Sequence, residues 1–133
     1  MAELANGDLY LNARGFDGSH CRLWAISTDG GDSWSELQNA PDLMDPQCHA
    51  SLCAVDPGDA QHQLLYCGPL HASKRKNGCL MRSFDRGKSW RKVLTVYKDF
   101  FAYSDLAQID AQSVAILFER DQYERVSYRS IRL

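Results

Sequence analysis

Apolar and polar residues alternate in short runs along nearly the whole chain. Alternation with a period of two places every second side chain on one face, which is typical of half-buried β-strands. No segment has apolar residues at helical spacing over any length, so we predict an all-β fold. A turn with the sequence DPGD is expected at residues 56–59. The predicted strands are residues 9–14, 21–27, 50–55, 63–67, 78–84, 89–97, 102–109, 113–119 and 125–131.

One eight-residue pattern occurs twice between predicted strands. STDGGDSW at residues 27–34 and SFDRGKSW at residues 83–90 both fit S-x-D-x-G-x-x-W. In such a turn the aspartate can accept backbone N–H bonds, the glycine allows a positive φ, and the tryptophan anchors the turn on a neighbouring strand. The pattern contains no nucleophile with an adjacent base, so we interpret it as structural. A calcium or sugar site in the turn is the alternative interpretation.

The predicted strands fall into groups, with the repeated turn at the same place in each. Residues 48–97 hold four successive strands, and the second turn joins the third strand to the fourth; residues 1–37 repeat this plan. Four-stranded antiparallel units in series are the plan of a β-propeller. We therefore predict blade-like units at residues 1–40, 45–98 and 100–133, the last one strand short. A β-sandwich of about ten strands is the alternative.

The net charge and the distribution of apolar residues argue against several partners and targeting segments. A formal net charge of −2 gives no support for binding nucleic acid or an anionic membrane. The chain has no run of about 18 apolar residues, so no transmembrane helix is predicted. Its start lacks the basic and apolar regions of a signal peptide and enters strand-like alternation directly. We expect from this start, and from the short last unit, that the chain is the C-terminal part of a larger propeller.

The cysteines favour reduced thiols over a disulfide framework, because the five of them are odd in number and include no C-x-x-C pair. A zinc site could draw on His20 and Cys21, or on Cys48 and His49. Adjacent residues on a strand face opposite sides, however, so neither pair can easily hold one ion. We therefore predict no metal and no other cofactor.

Four further segments carry a resemblance to a known family. They are LNAR at residues 11–14, SKRKNGCLMRS at 73–83, AYSDL at 102–106 and ILFE at 116–119. Together with the two repeated turns, they resemble the exo-α-sialidases, and the animal-type enzymes most of all. In that family the repeated turns are called Asp boxes. The resemblance runs along the whole chain and covers roughly the C-terminal third of a sialidase. It implies a six-bladed propeller, of which this chain would hold about two and three-quarter blades.

The resemblance implies a role for four residues. Arg14 in LNAR and Arg75 in RKN match two of the three arginines that bind the carboxylate of sialic acid. Tyr103 in AYSDL matches the catalytic tyrosine nucleophile, and Glu119 in ILFE matches the glutamate that holds the first arginine of that triad. Guanidinium groups suit a carboxylate because they can bind both of its oxygens.

Taken without the resemblance, the same residues have ordinary structural interpretations. Arg14 is then a solvated residue at a strand end, and Arg75 belongs to an exposed basic loop. Tyr103 is an aromatic residue of a strand, and Glu119 pairs with Arg120 at the surface. These alternatives stay open at the level of sequence.

The resemblance also implies parts that this chain lacks. The glutamate that activates the tyrosine would lie just upstream of Met1, and the first arginine and the aspartate acid/base belong to the N-terminal part of sialidases. A phenol needs such a base because its unperturbed pKa is about 10. Gln47 and His49 match positions near the glycerol or aglycone side of the pocket.

We therefore predict a fragment of an exo-α-sialidase, inactive by itself, whose parent enzyme removes terminal sialic acids from gangliosides, glycoproteins and oligosaccharides with retention. The alternatives are a non-catalytic Asp-box propeller that binds glycans or proteins, and an inactive sialidase-like remnant. The predicted partner is a sialylated glycan, and peripheral contact with a membrane stays open. Localisation is open between cytoplasm and lysosome or membrane, with reduced cysteines slightly favouring the cytoplasm.

Overall fold

The structure, a computed structural model, describes residues 1–55 and 63–133, and the predicted turn at residues 56–59 lies outside these residues. The described residues form ten β-strands and no helix, so the predicted all-β fold is confirmed. The strands are β1 (Ala2–Glu3), β2 (Leu9–Arg14), β3 (Cys21–Ser27), β4 (Gln38–Met44), β5 (Ser51–Val55), β6 (Gln63–Pro69), β7 (Lys76–Ser83), β8 (Arg91–Asp110), β9 (Ser113–Arg120) and β10 (Arg125–Arg132).

All strand pairs are antiparallel, and consecutive strands are neighbours in two sheets. The first sheet has the order β1-β2-β3-β4, and the second has the order β10-β9-β8-β7-β6-β5. The repeated turns join β3 to β4 and β7 to β8, at corresponding places in the two sheets. The first sheet thus has four strands and the second has six, and each contains one repeated turn between two consecutive strands. The division into blade-like units stays a prediction.

β8 is a single long strand where the sequence predicted two separate strands at residues 89–97 and 102–109. Its first half pairs with β7, up to the pair Phe100 with Lys76, and its second half pairs with β9 from Phe101 onward. Register shifts interrupt both ladders near this crossing point. Bulges increase the local bend of a strand, so the chain changes partner here without leaving extended structure.

The sequence analysis located neither the two-residue strand β1 nor the longer strand β4. The sequence of β4 is QNAPDLM, and Pro41 disrupts the strand pattern. The register shifts here, because Cys21 pairs with Met44 while Arg22 pairs with Ala40. β4 lies at the edge of its sheet, and proline is tolerated at edges and bulges because no ladder hydrogen bond is lost there.

The strands β6 and β7 are buried on both faces and separate two hydrophobic clusters. Leu64, Tyr66, Cys79 and Met81 belong to the cluster shared with the first sheet, which includes Tyr10 and Leu43. The alternate residues Leu65, Cys67 and Leu80 belong to the cluster shared with β8, β9 and β10. The sequence of a strand that is covered on both faces is a continuous apolar run, as in LLYC of β6 and CLM of β7. These two strands are the fixed middle layer of the fold.

The two repeated turns have the same internal hydrogen bonds. In the first turn, the N–H groups of Gly31 and Ser33 donate to Ser27 Oγ and Asp29 Oδ1, both at 2.9 Å, and the indole N–H of Trp34 donates to the Gly31 carbonyl at 3.1 Å. The second turn repeats these bonds at 2.9, 2.9 and 3.1 Å. Hydrogen bonds from Ser33 and Ser27 lower the pKa of Asp29 to about 2. The aspartate thus organises the turn, in agreement with the structural interpretation.

The second turn also packs against the first sheet. The Tyr10 hydroxyl donates to the Gly87 carbonyl at 3.1 Å, and the Tyr10 ring occupies the space that a Cβ at residue 87 would need. Trp90 is only 5% exposed, with its ring 6.4 Å from that of Tyr10 and 6.1 Å from that of Tyr66. The corresponding Trp34 is 37% exposed. The second turn therefore has an added function, because it fastens the two sheets together.

Gly87→Ala should destabilise the protein more than Gly31→Ala, its matched control in the first turn. Both glycines have a positive φ, 83° at Gly87 and 102° at Gly31, so both substitutions introduce the same kind of backbone strain. A Cβ at Gly87 would lie 2.2 Å from the fully buried Tyr10 ring, whereas at Gly31 the nearest atom is 3.5 Å away. We expect an additional loss of about 1–3 kcal/mol for Gly87→Ala. Denaturant unfolding followed by tryptophan fluorescence measures the difference, and equal losses would contradict this packing.

Candidate active site

The predicted site residues lie at one end of the strands, where loops connect them; this loop surface is called the loop edge, or simply the edge, below. The β2–β3, β6–β7 and β9–β10 connections and the β4–β5 link all emerge there, because alternate connections of an antiparallel meander share an edge. The repeated turns lie at the opposite edge for the same reason. Neighbouring connections contact each other, since the His20 ring nitrogen hydrogen-bonds the Ala72 carbonyl at 3.1 Å and the Asp45 N–H donates to the His20 carbonyl at 2.9 Å. The edge is a continuous loop surface.

Tyr103 projects from a bulge at the crossing point of β8. Phe101 pairs with Arg120 and Ser104 pairs with Phe118, so Ala102 and Tyr103 together face the single residue Glu119. The Tyr103 N–H donates to Glu119 Oε2 at 3.3 Å. A bulge redirects the side chains that follow it, and Tyr103 is 41% exposed between the buried residues Ala102 and Ser104. The local geometry thus presents the phenol to solvent beside a carboxylate.

Arg75 lies against Tyr103 from the β6–β7 connection. Its guanidinium carbon is 5.2 Å from the centre of the Tyr103 ring, and its Nη1 donates to the Tyr123 hydroxyl at 2.5 Å. Its carbonyl accepts the Phe101 N–H at 3.0 Å, which ties the connection to the middle of β8. Burial acts to lower the pKa of Arg75, but Cys48 and Tyr123 act to raise it and the pKa is raised overall. Among the described residues, Arg75 has no carboxylate partner.

Arg14 ends β2 on the neighbouring sheet and does not contact the other three predicted residues. Its guanidinium carbon lies 6.0 Å from the centre of the Phe16 ring, and it is exposed. It is close enough to Cys48 that its charge acts to lower the pKa of that thiol, as the charge of Arg75 does. The structure therefore places Tyr103 in contact with both Arg75 and Glu119, with Arg14 at the same edge but separate.

Two shallow cavities adjoin the Arg75–Tyr103 contact. One, of about 250 Å³, is lined by Tyr103, Glu119 and His49 together with apolar residues such as Val126. The His49 ring lies 5.3 Å from the Tyr103 ring. The other cavity, of about 440 Å³, lies on the far side of Arg75 and is lined by Lys74, Lys76, Asp99, Phe100 and Gln122. Arg75 is thus reachable from solvent while its guanidinium packs on aromatic rings.

A buried ion pair that the sequence analysis missed supports this edge. Arg22 and Asp45 are 4% and 1% exposed, and Arg22 Nη1 donates to Asp45 Oδ2 at 3.3 Å. Arg22 also donates to the Asn12 side chain at 2.7 Å and to the Cys48 carbonyl at 2.8 Å, and the Cys48 N–H donates to Asp45 Oδ1 at 3.0 Å. The pair therefore fixes the β4–β5 link that carries His49. Its signal in the sequence is an arginine inside an otherwise apolar strand.

The described residues at this edge offer no cluster that could hold a metal ion, and the thiol of Cys48 is not activated. All five cysteines are free thiols, and burial raises the pKa of Cys48 to about 11, so it stays protonated at neutral pH. Within residues 1–55 and 63–133, no group of three or more His, Cys, Asp or Glu side chains is placed to hold a metal ion. The same residues contain no helix long and apolar enough to cross a membrane.

Asp45→Ala should cost about 3–5 kcal/mol of folding free energy, because it leaves the Arg22 guanidinium buried without its counterion. Arg125→Ala is the matched control, since it removes an exposed ion pair of 3.8 Å with Asp121 and should cost no more than about 1 kcal/mol. Thermal and denaturant unfolding measure both changes. Similar small losses for the two variants would show that the buried pair does not hold the link.

Comparisons with known proteins agree with the observed fold. Residues 1–116 match the BNR repeat-like domain family. The chain is 33% identical over 138 positions to a sialidase of Vibrio cholerae serotype O1, covering 91% of this chain and 18% of the relative. It is 30% identical over 122 positions to a sialidase of Micromonospora viridifaciens, covering 88% of this chain and 19% of the relative.

The solved structure of a Hadza microbial sialidase superposes on the chain with a TM-score of 0.83 at 30% identity, over 99% of this chain and 26% of that one. The predicted fold class, part of a sialidase-type β-propeller, is confirmed. The chain spans a fifth to a quarter of the length of these relatives. The narrower likeness to animal-type enzymes stays a prediction. The chain belongs to the family of BNR repeat-like domains.

Proposed function

We propose that this chain is the C-terminal part of a six-bladed exo-α-sialidase, with blade-like units at about residues 1–40, 45–98 and 100–133. The observation that carries the proposal is the contact of Tyr103 with both Arg75 and Glu119. These residues come from three different elements, and the guanidinium of Arg75 lies 5.2 Å from the Tyr103 ring while Glu119 accepts the Tyr103 N–H. Tyr103 and Glu119 meet because β8 and β9 pair there, and the β6–β7 connection brings Arg75 to the same place.

In the proposed reaction, Arg75 and Arg14 bind the carboxylate that a sialoside bears on its anomeric carbon. Their guanidinium groups offer paired N–H donors and stay charged at any working pH. The Tyr103 oxygen gives its proton to the activating base and attacks the anomeric carbon as the bond to the leaving oxygen breaks, and the acid/base aspartate gives that oxygen a proton. Water then replaces Tyr103 at the same carbon. Two displacements give retention of configuration, as in retaining glycosidases that use a carboxylate.

The chain supplies only part of the groups that this reaction needs. The Tyr103 hydroxyl has no hydrogen-bond partner among the described residues, and Glu119 contacts the backbone N–H rather than the phenol oxygen. We propose that the activating base, the first arginine of the triad and the acid/base aspartate lie outside this chain. Glu119 then holds that first arginine in position. The sialylated glycan, whether ganglioside, glycoprotein or oligosaccharide, is the proposed substrate.

The unpartnered Tyr103 hydroxyl also favours a second candidate, a propeller that binds glycans without cleaving them. Arg14, Arg75 and the aromatic rings beside them suffice to bind an acidic sugar. The two candidates differ in the step after binding, because only the enzyme forms a bond from Tyr103 to the sugar.

Tyr103→Phe in the full-length protein should abolish hydrolysis of a fluorogenic sialoside, because the variant keeps the ring against Arg75 but lacks the nucleophilic oxygen. We expect a loss of at least about a thousandfold in kcat and little change in binding of free sialic acid. Tyr128→Phe, at an exposed tyrosine of β10, is the control and should behave as wild type. Near-normal turnover of Tyr103→Phe would refute the nucleophile, and binding without hydrolysis in the wild-type protein would favour the second candidate.

The 133-residue chain by itself should give no detectable hydrolysis of the same sialoside, while the full-length protein hydrolyses it. The physical reason is the missing base, because a tyrosine nucleophile needs an adjacent group to take its proton as it attacks. Both proteins are assayed at equal concentration, with circular dichroism to show that the short chain is folded. Comparable turnover by the two would show that the site is complete within these residues.

A further inference from the structure

The turn between β9 and β10 has an unusual backbone. Asp121, Gln122 and Tyr123 all lie in the left-handed region, with φ of 54°, 56° and 72°. None of the three is glycine, and successive non-glycine residues in this region are uncommon because the Cβ approaches the carbonyl oxygen. Such a conformation persists only where surrounding contacts hold it, and it is often found beside ligand sites.

Asp121 provides those contacts. Its Oδ1 accepts the Tyr97 hydroxyl at 2.9 Å, and its Oδ2 accepts Arg120 Nη1 at 2.5 Å. Its carbonyl accepts the Glu124 N–H at 3.1 Å, and Arg125 Nε lies 3.8 Å from Oδ2. One aspartate thus connects the turn to both flanking strands and to β8.

The turn holds Tyr123 against Arg75. The Tyr123 hydroxyl accepts Arg75 Nη1 at 2.5 Å, and the edge of the Tyr123 ring packs on Phe100 with the centres 4.9 Å apart. The guanidinium carbon of Arg75 is 6.0 Å from the Tyr123 ring centre and 5.2 Å from that of Tyr103. Arg75 is therefore held between two tyrosines, one by a hydrogen bond and one by its ring face.

We propose that Tyr123 is a positioning residue, which fixes the guanidinium of Arg75 for the carboxylate of the substrate; this rests on the proposed sialidase function. An arginine held by a carboxylate would have its charge neutralised in place. A phenol hydroxyl and two aromatic rings restrict the side chain while leaving its positive charge and its other N–H donors for a ligand. Holding a flexible side chain in the bound geometry before the ligand arrives improves affinity, because less entropy is lost on binding.

The test is Tyr123→Phe in the full-length protein, assayed with a fluorogenic sialoside. The variant removes the hydroxyl but keeps the ring on Phe100, so the turn should remain folded. We expect KM to rise about three- to tenfold with kcat within about twofold, since a bond to a charged group used in ground-state binding is lost. Tyr128→Phe is the matched control on the next strand, because its hydroxyl has no partner among the described residues and it is 62% exposed. It should match the wild type.

A second measurement separates positioning from a general structural effect. Arg75→Lys removes the planar group that Tyr123 holds, so Tyr123→Phe should change KM little further in that background. If the KM increases of the two substitutions multiply in the double variant instead, Tyr123 acts independently of Arg75 and the inference is overturned. The inference also fails if the wild-type protein is active and Tyr123→Phe equals Tyr128→Phe. A wild-type protein that neither binds nor cleaves the sialoside would overturn the proposed function itself.

Discussion

The buried ion pair of Arg22 and Asp45 determines how the two sheets and the loop edge fit together. Burying two charges is costly unless their remaining hydrogen-bonding groups are satisfied. Here the guanidinium also donates to Asn12 and to the Cys48 carbonyl, and lies 5.8 Å from the ring centre of Tyr66 in the second sheet. The pair therefore joins the first sheet, the β4–β5 link and β6 in one contact. A hydrophobic contact of similar size would join the same layers but would not fix the path of the link, because it lacks direction.

The middle layer gives this junction a rigid support. β6 and β7 are covered on both faces, and close approach is possible at their ends because Gly78 has no side chain where the Phe101 ring packs. A Cβ at Gly78 would lie 2.0 Å from that ring, so the crossing point of β8 is pressed directly onto β7. The bulge that presents Tyr103 comes immediately after. The position of Tyr103 is thus set by packing of buried groups rather than by the exposed loops around it, which suits a site that needs fixed geometry.

The sequence predicts the strands and the repeated turns well because both depend on local chemistry. Alternation and the Asp–Gly–Trp spacing are properties of a few adjacent residues. The features that it does not predict depend on partners distant in the chain. β4 is hidden by Pro41, whose place at a sheet edge is known only from the topology. The bulge at Ala102 and Tyr103 is visible only as a mismatch with β9. The burial of Arg22, like the contact of Tyr123 with Arg75, requires two segments that no short-range pattern connects.

The distribution of arginine partners connects the fold to the proposed site. Arg22 is paired with an aspartate deep in the structure, because an unpaired charge there would be very costly. Arg75 and Arg14 lie at the open edge, where water can solvate them, and aromatic rings rather than carboxylates contact them. A charge kept this way costs little while the site is empty, yet it can be neutralised by an incoming anion. In the proposed site, these arginines favour negatively charged ligands because they have no carboxylate partner among the described residues, and the low polarity of the neighbouring rings would strengthen that attraction.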